Sequence, residues 1–120
     1  MSLKAEYKVK ITSEGIQEYF SNASEPHTLV KYDWSVGNVY EFTNSEGVKV
    51  KRTVISKSTK DDYPLGFFNV KVIQVEETKV DPLLDKITYI ANHKFGLIAV
   101  LVKSKNGKES LLSIFPPTLF

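Results

Sequence analysis

The stretch Phe95-Gly-Leu-Ile-Ala-Val-Leu-Val-Lys103 is apolar on both of the faces that a β-strand would present. Runs of this kind are typical of strands buried on both sides, and we expect it to be the central strand of a sheet. Lys105-Asn106-Gly107-Lys108 follows, and Asn-Gly is a strong hairpin signal because both residues tolerate a positive φ. The stretch therefore predicts a two-residue reversal at Asn106-Gly107, with Ser110 to Phe115 as the returning strand.

The first strand has the alternation of a sheet with one buried face. Apolar and charged side chains alternate from Ala5 to Ile11. We expect the apolar set to be buried, because a slip of one residue would turn every side chain to the other face. The set expected to be buried is Ala5, Tyr7, Val9 and Ile11, and the set expected to be exposed is Glu6, Lys8 and Lys10.

One short helix is predicted near the N-terminus, over residues 14–21. Ile16, Tyr19 and Phe20 fall at positions i, i+3 and i+4, and a serine just before them can cap the first turn. Gly15 weakens the prediction, since glycine destabilises a helix interior.

Residues 39–43 and 48–56 predict a hairpin around the loop Asn44-Ser45-Glu46-Gly47. Arg52 falls on the apolar face of the second strand. Either its aliphatic stem is covered while its head reaches solvent at the sheet edge, or a β-bulge shifts the register there. A buried functional arginine is the less favoured alternative, because burying a charge is costly.

The remaining strands are less regular. In residues 27–34, Leu29-Val30 breaks the alternation and indicates an irregular strand. Residues 57–66 read as a polar loop, before alternation resumes at 68–76 and again at 87–91.

These elements predict one all-β domain over residues 1–120. Seven or eight strands with short connections and no βαβ alternation favour an antiparallel meander. The meander could curl into a barrel or half-barrel, or fold into a two-sheet sandwich.

The overall composition excludes several classes of protein. The formal net charge is +2, from 16 basic and 14 acidic residues, so no whole-chain field favours nucleic acid. The chain has no cysteine, which removes disulfides, thiolate zinc sites and cysteine nucleophiles. No apolar run approaches the ~20 residues that span a bilayer, so we expect a soluble protein.

The sequence offers no catalytic signature. His27 and His93 lack a ligand-spaced partner, and we expect both to be turn or surface residues. The acidic groups at 61–62, 76–77 and 81–85 are expected to be solvated charges. We therefore predict no catalytic residues, no metal site and no cofactor.

The lysines on the polar strand faces do not predict a nucleic-acid surface. The aromatic residues fall mostly on the opposite, apolar faces, whereas a single-strand binder needs them interleaved with the lysines. Solubilising and edge-protecting lysines are the favoured interpretation.

The aromatic residues, 12% of the chain, are its most distinctive feature. Trp34 precedes Gly37 at the mouth of the 39–56 hairpin. Its indole could plug the core at the sheet end, which we favour, or it could form the wall of a ligand site. We name Trp34, Tyr40 and Tyr89 as the candidate ligand-binding residues.

Two segments resemble a pattern of uncharacterised exported β-rich domains and lipoproteins of bacteria. They are Trp34-Ser35-Val36-Gly37-Asn38-Val39-Tyr40-Glu41-Phe42 and Tyr89-Ile90-Ala91-Asn92-His93-Lys94-Phe95-Gly96-Leu97-Ile98. In that family a Val-Gly-Asn-x-aromatic segment opens a hairpin and a Phe/Val-Gly-Leu strand closes the sheet. The resemblance covers roughly residues 34 to 100, and it implies a cell-envelope location and a binding or structural role.

The resemblance leads us to expect an exported protein of the periplasm or cell envelope. Met1-Ser2-Leu3 looks like a start introduced by cloning, so a signal peptide could have been removed upstream. A cytoplasmic location stays open, and the chain lacks the cysteine that would anchor a lipoprotein.

We therefore predict a non-catalytic binding or structural domain. Its expected partner is an unknown protein or a small apolar ligand, with no nucleic acid and no membrane span, and its oligomeric state is open. One alternative is a small β-barrel enzyme that uses loop carboxylates or a histidine. Another is an assembly subunit that pairs through an edge strand.

Overall fold

The computed structural model describes residues 7–20, 27–44 and 46–114, with the side chains of 10–17, 27–44 and 46–114. This part of the chain contains no helix, and its strands form three antiparallel sheets, none of which closes into a barrel. The all-β antiparallel class is therefore confirmed. The strands number eleven rather than seven or eight, and they are β1 (Tyr7–Ile11), β2 (Gly15–Phe20), β3 (His27–Lys31), β4 (Val39–Thr43), β5 (Lys49–Lys57), β6 (Tyr63–Leu65), β7 (Phe68–Val70), β8 (Ile73–Thr78), β9 (Leu84–Asn92), β10 (Gly96–Ser104) and β11 (Glu109–Ser113).

The largest sheet has six strands in the order β11-β10-β9-β8-β5-β4. Neighbours in the sheet are also consecutive in the chain, except that the small β6-β7 hairpin is inserted between β5 and β8. This order is the expected meander. The apolar run 95–103 forms β10, which is paired on both sides, but β8 and β9 occupy the middle of the sheet, so the central position predicted for 95–103 is wrong.

The other two sheets cover opposite faces of the large sheet. The β1-β2-β3 sheet packs over β8, β9 and β10, and Ile16, Leu29 and Val30 join Val75 and Tyr89 in one buried cluster. The β6-β7 hairpin contributes to a second cluster on the far side, which contains Leu65, Val70, Ile90 and Ile98. Strand β9 thus buries both of its faces, because Tyr89 belongs to one cluster and Ile90 to the other.

The helix predicted for residues 14–21 is not formed, and β2 occupies most of this segment. A tight turn bonds the Thr12 amide to the Gly15 carbonyl at 3.0 Å and sets β2 back against β1. Strand β3 then pairs with the other side of β2. The ladder with β1 runs along nearly all of β2 and the ladder with β3 covers its first four residues, whereas a helix of eight residues is only marginally stable without tertiary support.

The adjacent pair Leu29-Val30 is explained by a β-bulge. Ile16 of β2 lies opposite Val30 and Gln17 lies opposite Thr28, so Leu29 is the extra residue in β3. Both Leu29 and Val30 are completely buried. The irregular strand predicted from this pair is confirmed.

The first strand is present as β1, but its predicted burial is not reproduced where side chains are described. Ile11 is 55% exposed, and Lys10 is exposed as expected. Among the described strands, β1 pairs only with β2, and Ile11 rests with one side against Gly96 and leaves the other open. Ala5 and Glu6 lie outside the described residues, as do the side chains of Tyr7, Lys8 and Val9.

The β10-β11 hairpin is confirmed, but its reversal contains three residues rather than two. The Ser104 amide donates to the Lys108 carbonyl at 2.8 Å, and the Gly107 amide donates to the Ser104 carbonyl at 3.0 Å. Gly107 has a φ of 89°, and no non-glycine residue in the described ranges has a positive φ. Asn106 therefore stays in the ordinary region, and Gly107 alone takes the left-handed conformation.

Residues 57–76, predicted as a polar loop followed by one strand, contain more strands than expected. Residues 63–65 form β6, and the predicted strand 68–76 is split into β7 and β8 by a break at Lys71-Val72. The Gly66-Phe67 turn directs Phe67 fully into solvent. The alternation gave no sign of this break, because Val70 and Val72 are both buried.

Gly15→Ala is expected to destabilise the protein by roughly 1 to 3 kcal/mol. A Cβ at this position would collide with the Val30 carbonyl oxygen and lie 3.1 Å from the Lys31 Cα, so β2 and β3 would have to separate. Urea unfolding measures the change. Ser13→Ala, in the exposed turn two residues away, is the matched control and should leave stability nearly unchanged; equal stability of the two variants would contradict the packing argument.

Candidate functional site

A buried ion pair lies at the centre of the packed face. Arg52 of β5 is directly opposite Glu77 of β8, and the two residues are 2% and 6% exposed. Arg52 Nε donates to Glu77 Oε1 at 2.8 Å, and Arg52 Nη2 lies 2.8 Å from the same oxygen. The Tyr89 hydroxyl donates to it as well, at 3.2 Å.

The same guanidinium joins the large sheet to the three-stranded sheet. Arg52 Nη1 donates to the Thr28 carbonyl of β3 at 2.8 Å. Its Cζ lies 4.7 Å from the centroid of the Phe42 ring and 5.7 Å from that of Tyr89, which are cation–π distances. Hydrogen bonds and rings thus surround the charge, as a buried arginine requires.

Both favoured interpretations of Arg52 are therefore wrong. The head does not reach solvent, and the register shift in β5 falls between Val54 and Ser56, beyond Arg52. Arg52 is buried in regular register because Glu77, on the next strand of the sheet, supplies the opposite charge. Sequence reasoning placed Glu77 in a group of solvated acids, since nothing local shows that β5 and β8 are neighbours.

Four half-buried rings form a continuous row beside this ion pair, which we call the aromatic strip: Trp34, Tyr40, Phe42 and His27. Trp34 and Tyr40 stack with centroids 6.1 Å apart, and Tyr40 lies 5.7 Å from Phe42. His27 stacks on Phe42 at 4.0 Å. The strip fills the seam where β3 and the turn after it pass over edge strand β4.

The structure brings together two of the three predicted ligand-binding residues. Trp34 and Tyr40 are in contact, and both belong to the aromatic strip. Tyr89 is only 8% exposed, and its hydroxyl is engaged by Glu77 below the strip. Trp34 is half-buried and packs against the buried cluster around Val75 and Tyr89. Its ring therefore neither lies fully in the core nor forms the open wall of a ligand site.

The cavities of the described residues lie elsewhere. A cleft of about 100 Å³ is lined by Tyr32, Lys57, Lys71 and His93 above an apolar floor. A depression of about 580 Å³ lies beside Glu14 and Asp33, and it is open to solvent. Trp34, Tyr40 and Tyr89 line neither of them.

The two histidines have different surroundings. His27 begins strand β3, where its half-buried ring stacks in the aromatic strip, so it does not lie in a turn. His93 is exposed in the β9-β10 turn, as expected, with its ring edge-on to Tyr32 at 6.4 Å. In the part of the chain that the structure describes, no three potential metal ligands cluster.

Two of the acidic residues singled out in the sequence, Asp81 and Glu76, have nearby partners. The Leu84 and Leu83 backbone amides donate to the Asp81 carboxylate and hold its pKa below the usual value. Glu76 forms an ion pair with Lys86 at 3.4 Å. Asp81 thus stabilises the turn into β9, and Glu76 stabilises a cross-strand pair.

Strand β11 is a feature whose importance the sequence did not show. Leu111 is 56% exposed and Leu112 is 54% exposed, and as neighbours in a strand they lie on opposite faces. Leu112 extends the inner apolar row that contains Val100 and Tyr89, but the three-stranded sheet packs over β8 to β10. The outermost part of the inner face is therefore left uncovered at Leu112.

The backbone of β11 presents a free edge as well. The Ile114 amide donates to the Ile98 carbonyl at 2.7 Å, and bonded residues alternate along an antiparallel ladder. Ser110, Leu112 and Ile114 therefore face β10. The N–H and C=O groups of Glu109, Leu111 and Ser113 point away from the sheet, where no described strand pairs with them.

The opposite edge of the large sheet has a different character. Strand β4 carries exposed Glu41 at its middle, and Lys49 forms an ion pair with Glu41 at 2.9 Å. A charged residue on an edge strand discourages pairing with another chain. Strand β11, by contrast, carries a charge only at its first residue, Glu109, and continues with serine and leucine.

Comparison of the chain with protein-family models, curated proteins and solved structures found no match. No helix in the described ranges is long and apolar enough to cross a bilayer.

Arg52→Met is expected to cost roughly 3 to 5 kcal/mol, because it leaves the Glu77 charge buried without its partner. The double variant Arg52→Met/Glu77→Met should recover most of this loss, since it removes both charges. A double-mutant cycle in urea measures the coupling.

The exposed ion pair between Lys49 and Glu41 provides the control for this cycle. Lys49→Met should leave stability nearly unchanged, because Lys49 is well hydrated. If the double variant is no more stable than Arg52→Met, the loss does not come from the unpaired charge of Glu77, and the explanation is contradicted. If Arg52→Met does not fold, folding of the double variant gives the same information.

Trp34→Ala is expected to lower stability by about 2 to 3 kcal/mol, since much of the indole's 150–250 Å² is removed from water. Urea unfolding followed by circular dichroism measures this loss. Phe67→Ala, which removes a fully exposed ring, is the control and should have almost no effect. Unchanged stability in Trp34→Ala would instead favour a ring that is free to bind a ligand.

Proposed function

We propose that this protein is a non-catalytic binding domain that takes up an extended segment of a protein partner along β11. The observation that carries the proposal is an edge strand whose outward backbone groups pair with no described strand and whose leucines are exposed on both faces. An added strand supplies main-chain hydrogen bonds, and pockets for alternate side chains supply specificity. Strand β11 offers both kinds of contact.

The size of the available interaction supports a specific but modest affinity. Glu109, Leu111 and Ser113 each present one donor and one acceptor, and a hydrogen bond contributes about 0.5 to 1.5 kcal/mol net. Covering the exposed half of each leucine would add on the order of 1 kcal/mol per side chain. The ordering of the partner segment opposes these contributions.

A small apolar ligand has less support in the described residues. The aromatic strip is filled by its own stacked rings, and the cleft beside Tyr32 holds about 100 Å³. The depression of about 580 Å³ is open to solvent and is lined mainly by polar and charged residues, among them Glu14, Lys31 and Asp33, which do not suit an apolar ligand. Pockets for small molecules are usually about 300 to 1,000 Å³. Protein binding at β11 is therefore the function we put forward.

We also propose that this protein is exported to the bacterial cell envelope and binds its protein partner there. This location is supported by the resemblance of residues 34–100 to exported β-rich domains. Fractionation of the cells that make the protein, with an antibody against it, tests the location. Recovery of the protein in the cytoplasmic fraction alone would contradict it.

The proposal predicts that a short strand-forming peptide binds at β11. The probe is a synthetic peptide, Lys-Val-Thr-Val-Thr-Val-Lys, added at up to about 1 mM to ¹⁵N-labelled protein. We expect the amide signals of Glu109, Leu111 and Ser113 to shift and their hydrogen exchange to slow. Leu112→Lys should weaken the response at least tenfold, because it places a charge in the uncovered apolar row.

Two controls separate strand addition from nonspecific contact. The same peptide with alternate amides N-methylated has the same side chains but lacks donors, and it should not bind. Val36→Lys, which changes an exposed apolar residue in the turn before β4, should bind as the wild type does. Shifts confined to other regions, or equal binding of the methylated peptide, would refute the proposal.

A further inference from the structure

We infer that the segment that pairs with β11 is β11 of a second copy of this chain, which gives a symmetric dimer. The inference rests on the proposed function, because it uses the same free edge. Two six-stranded sheets would join into one antiparallel sheet across a twofold axis. Such an interface uses the same patch on both subunits, so the patch must be complementary to itself.

Backbone geometry allows only a few pairing registers. Outward-facing residues must meet outward-facing residues, so Glu109, Leu111 and Ser113 of one copy must lie opposite the same set in the other. Pairing about Leu111 uses all three: Leu111 meets its own symmetry mate, and Glu109 meets Ser113 at both ends. Each of these three pairs exchanges two hydrogen bonds, and no other allowed register pairs all of Glu109–Ser113.

The charges on β11 are compatible with this register. Glu109 lies opposite Ser113, and Lys108 lies opposite Ile114, so no like charges meet across the axis. The edge strands β4 and β1 lack this property. Pairing β4 with itself about its middle residue sets Glu41 against Glu41, and pairing β1 about Val9 sets Lys8 against Lys10. Like charges directly opposite each other destabilise a strand pair.

The same register brings the exposed leucines together on both faces of the joined sheet. A twofold axis perpendicular to a sheet keeps each face continuous across the junction. Leu111 would contact its symmetry mate directly, and Leu112 would lie diagonal to its own on the other face, within reach of a leucine side chain. Each of these leucines, half exposed in the single chain, is therefore covered by the same leucine of the second copy.

Two measurements test the dimer. Sedimentation of the wild type from roughly 1 to 500 µM should show a monomer–dimer equilibrium, as a small interface implies. Leu111→Lys, which sets two ammonium groups against each other, should remain monomeric throughout. At a concentration where the wild type is also monomeric, its circular dichroism and melting temperature should match the wild type, because the side chain is exposed and dimerisation alone would raise the melting temperature.

The register is tested by cross-linking, for which a chain without cysteine is well suited. Hydrogen-bonded antiparallel pairs have Cα atoms about 5.5 Å apart, within the range of disulfides. Leu111→Cys should therefore form a disulfide dimer on mild oxidation. Glu109→Cys and Ser113→Cys should cross-link when mixed but not alone, and Val36→Cys, on the far edge, is the control.

The outcomes separate this inference from the proposed function. A monomeric wild type whose edge amides still respond to the Val-Thr peptide refutes the dimer and leaves protein binding at β11 standing. A monomer that ignores the peptide, or whose Glu109, Leu111 and Ser113 amides are already protected, refutes both. A dimer that cross-links equally well through Val36→Cys refutes the β11 interface.

Discussion

The ion pair between Arg52 and Glu77 is the interaction on which the arrangement of the sheets depends. Moving two charges out of water costs several kcal/mol for each ion, and the pair is tolerated only when its remaining donors and acceptors are satisfied. Here the Tyr89 hydroxyl also donates to Glu77 Oε1, and the Thr28 carbonyl accepts a further hydrogen bond from the guanidinium. Since Thr28 belongs to β3, this bond also helps to set where the three-stranded sheet lies on the large one.

The position of that sheet leads directly to the free edge. Neighbouring strands are about 4.8 Å apart, so three strands span about 10 Å between the outer strand axes while six span about 24 Å. A three-stranded sheet held over β8 to β10 therefore cannot cover the whole face. The aromatic strip closes the seam on the β4 side, where His27 and Trp34 stack on the edge strand. The β11 side has no such closure among the described residues, and Leu112 is left open there.

Much of the fold could be predicted because hairpins are local. Gly107 is required by the β10-β11 turn, and the Leu29-Val30 pair marked a real bulge in β3. The helix prediction failed because the i, i+3, i+4 spacing does not exclude a strand, and β2 is paired with β1 along nearly all of its length and with β3 as far as Glu18. The Arg52 prediction failed because its partner, Glu77, is 25 residues away in the chain. Glu77 lies on β8, which is the neighbour of β5 because β6 and β7 form a separate hairpin outside the large sheet.

The sequence by itself determined the all-β class, the antiparallel hairpins and the apolar faces, since alternation and turn chemistry act over a few residues. It also placed Trp34 and Tyr40 near the mouth of one hairpin. Only the tertiary structure decided which charges are buried together, that Tyr89 lies beneath the aromatic strip, and that β11 is an edge. These properties depend on which strands become neighbours and on how far one sheet extends over another. Both are determined by packing between residues that are distant in the chain, which the local sequence pattern does not show.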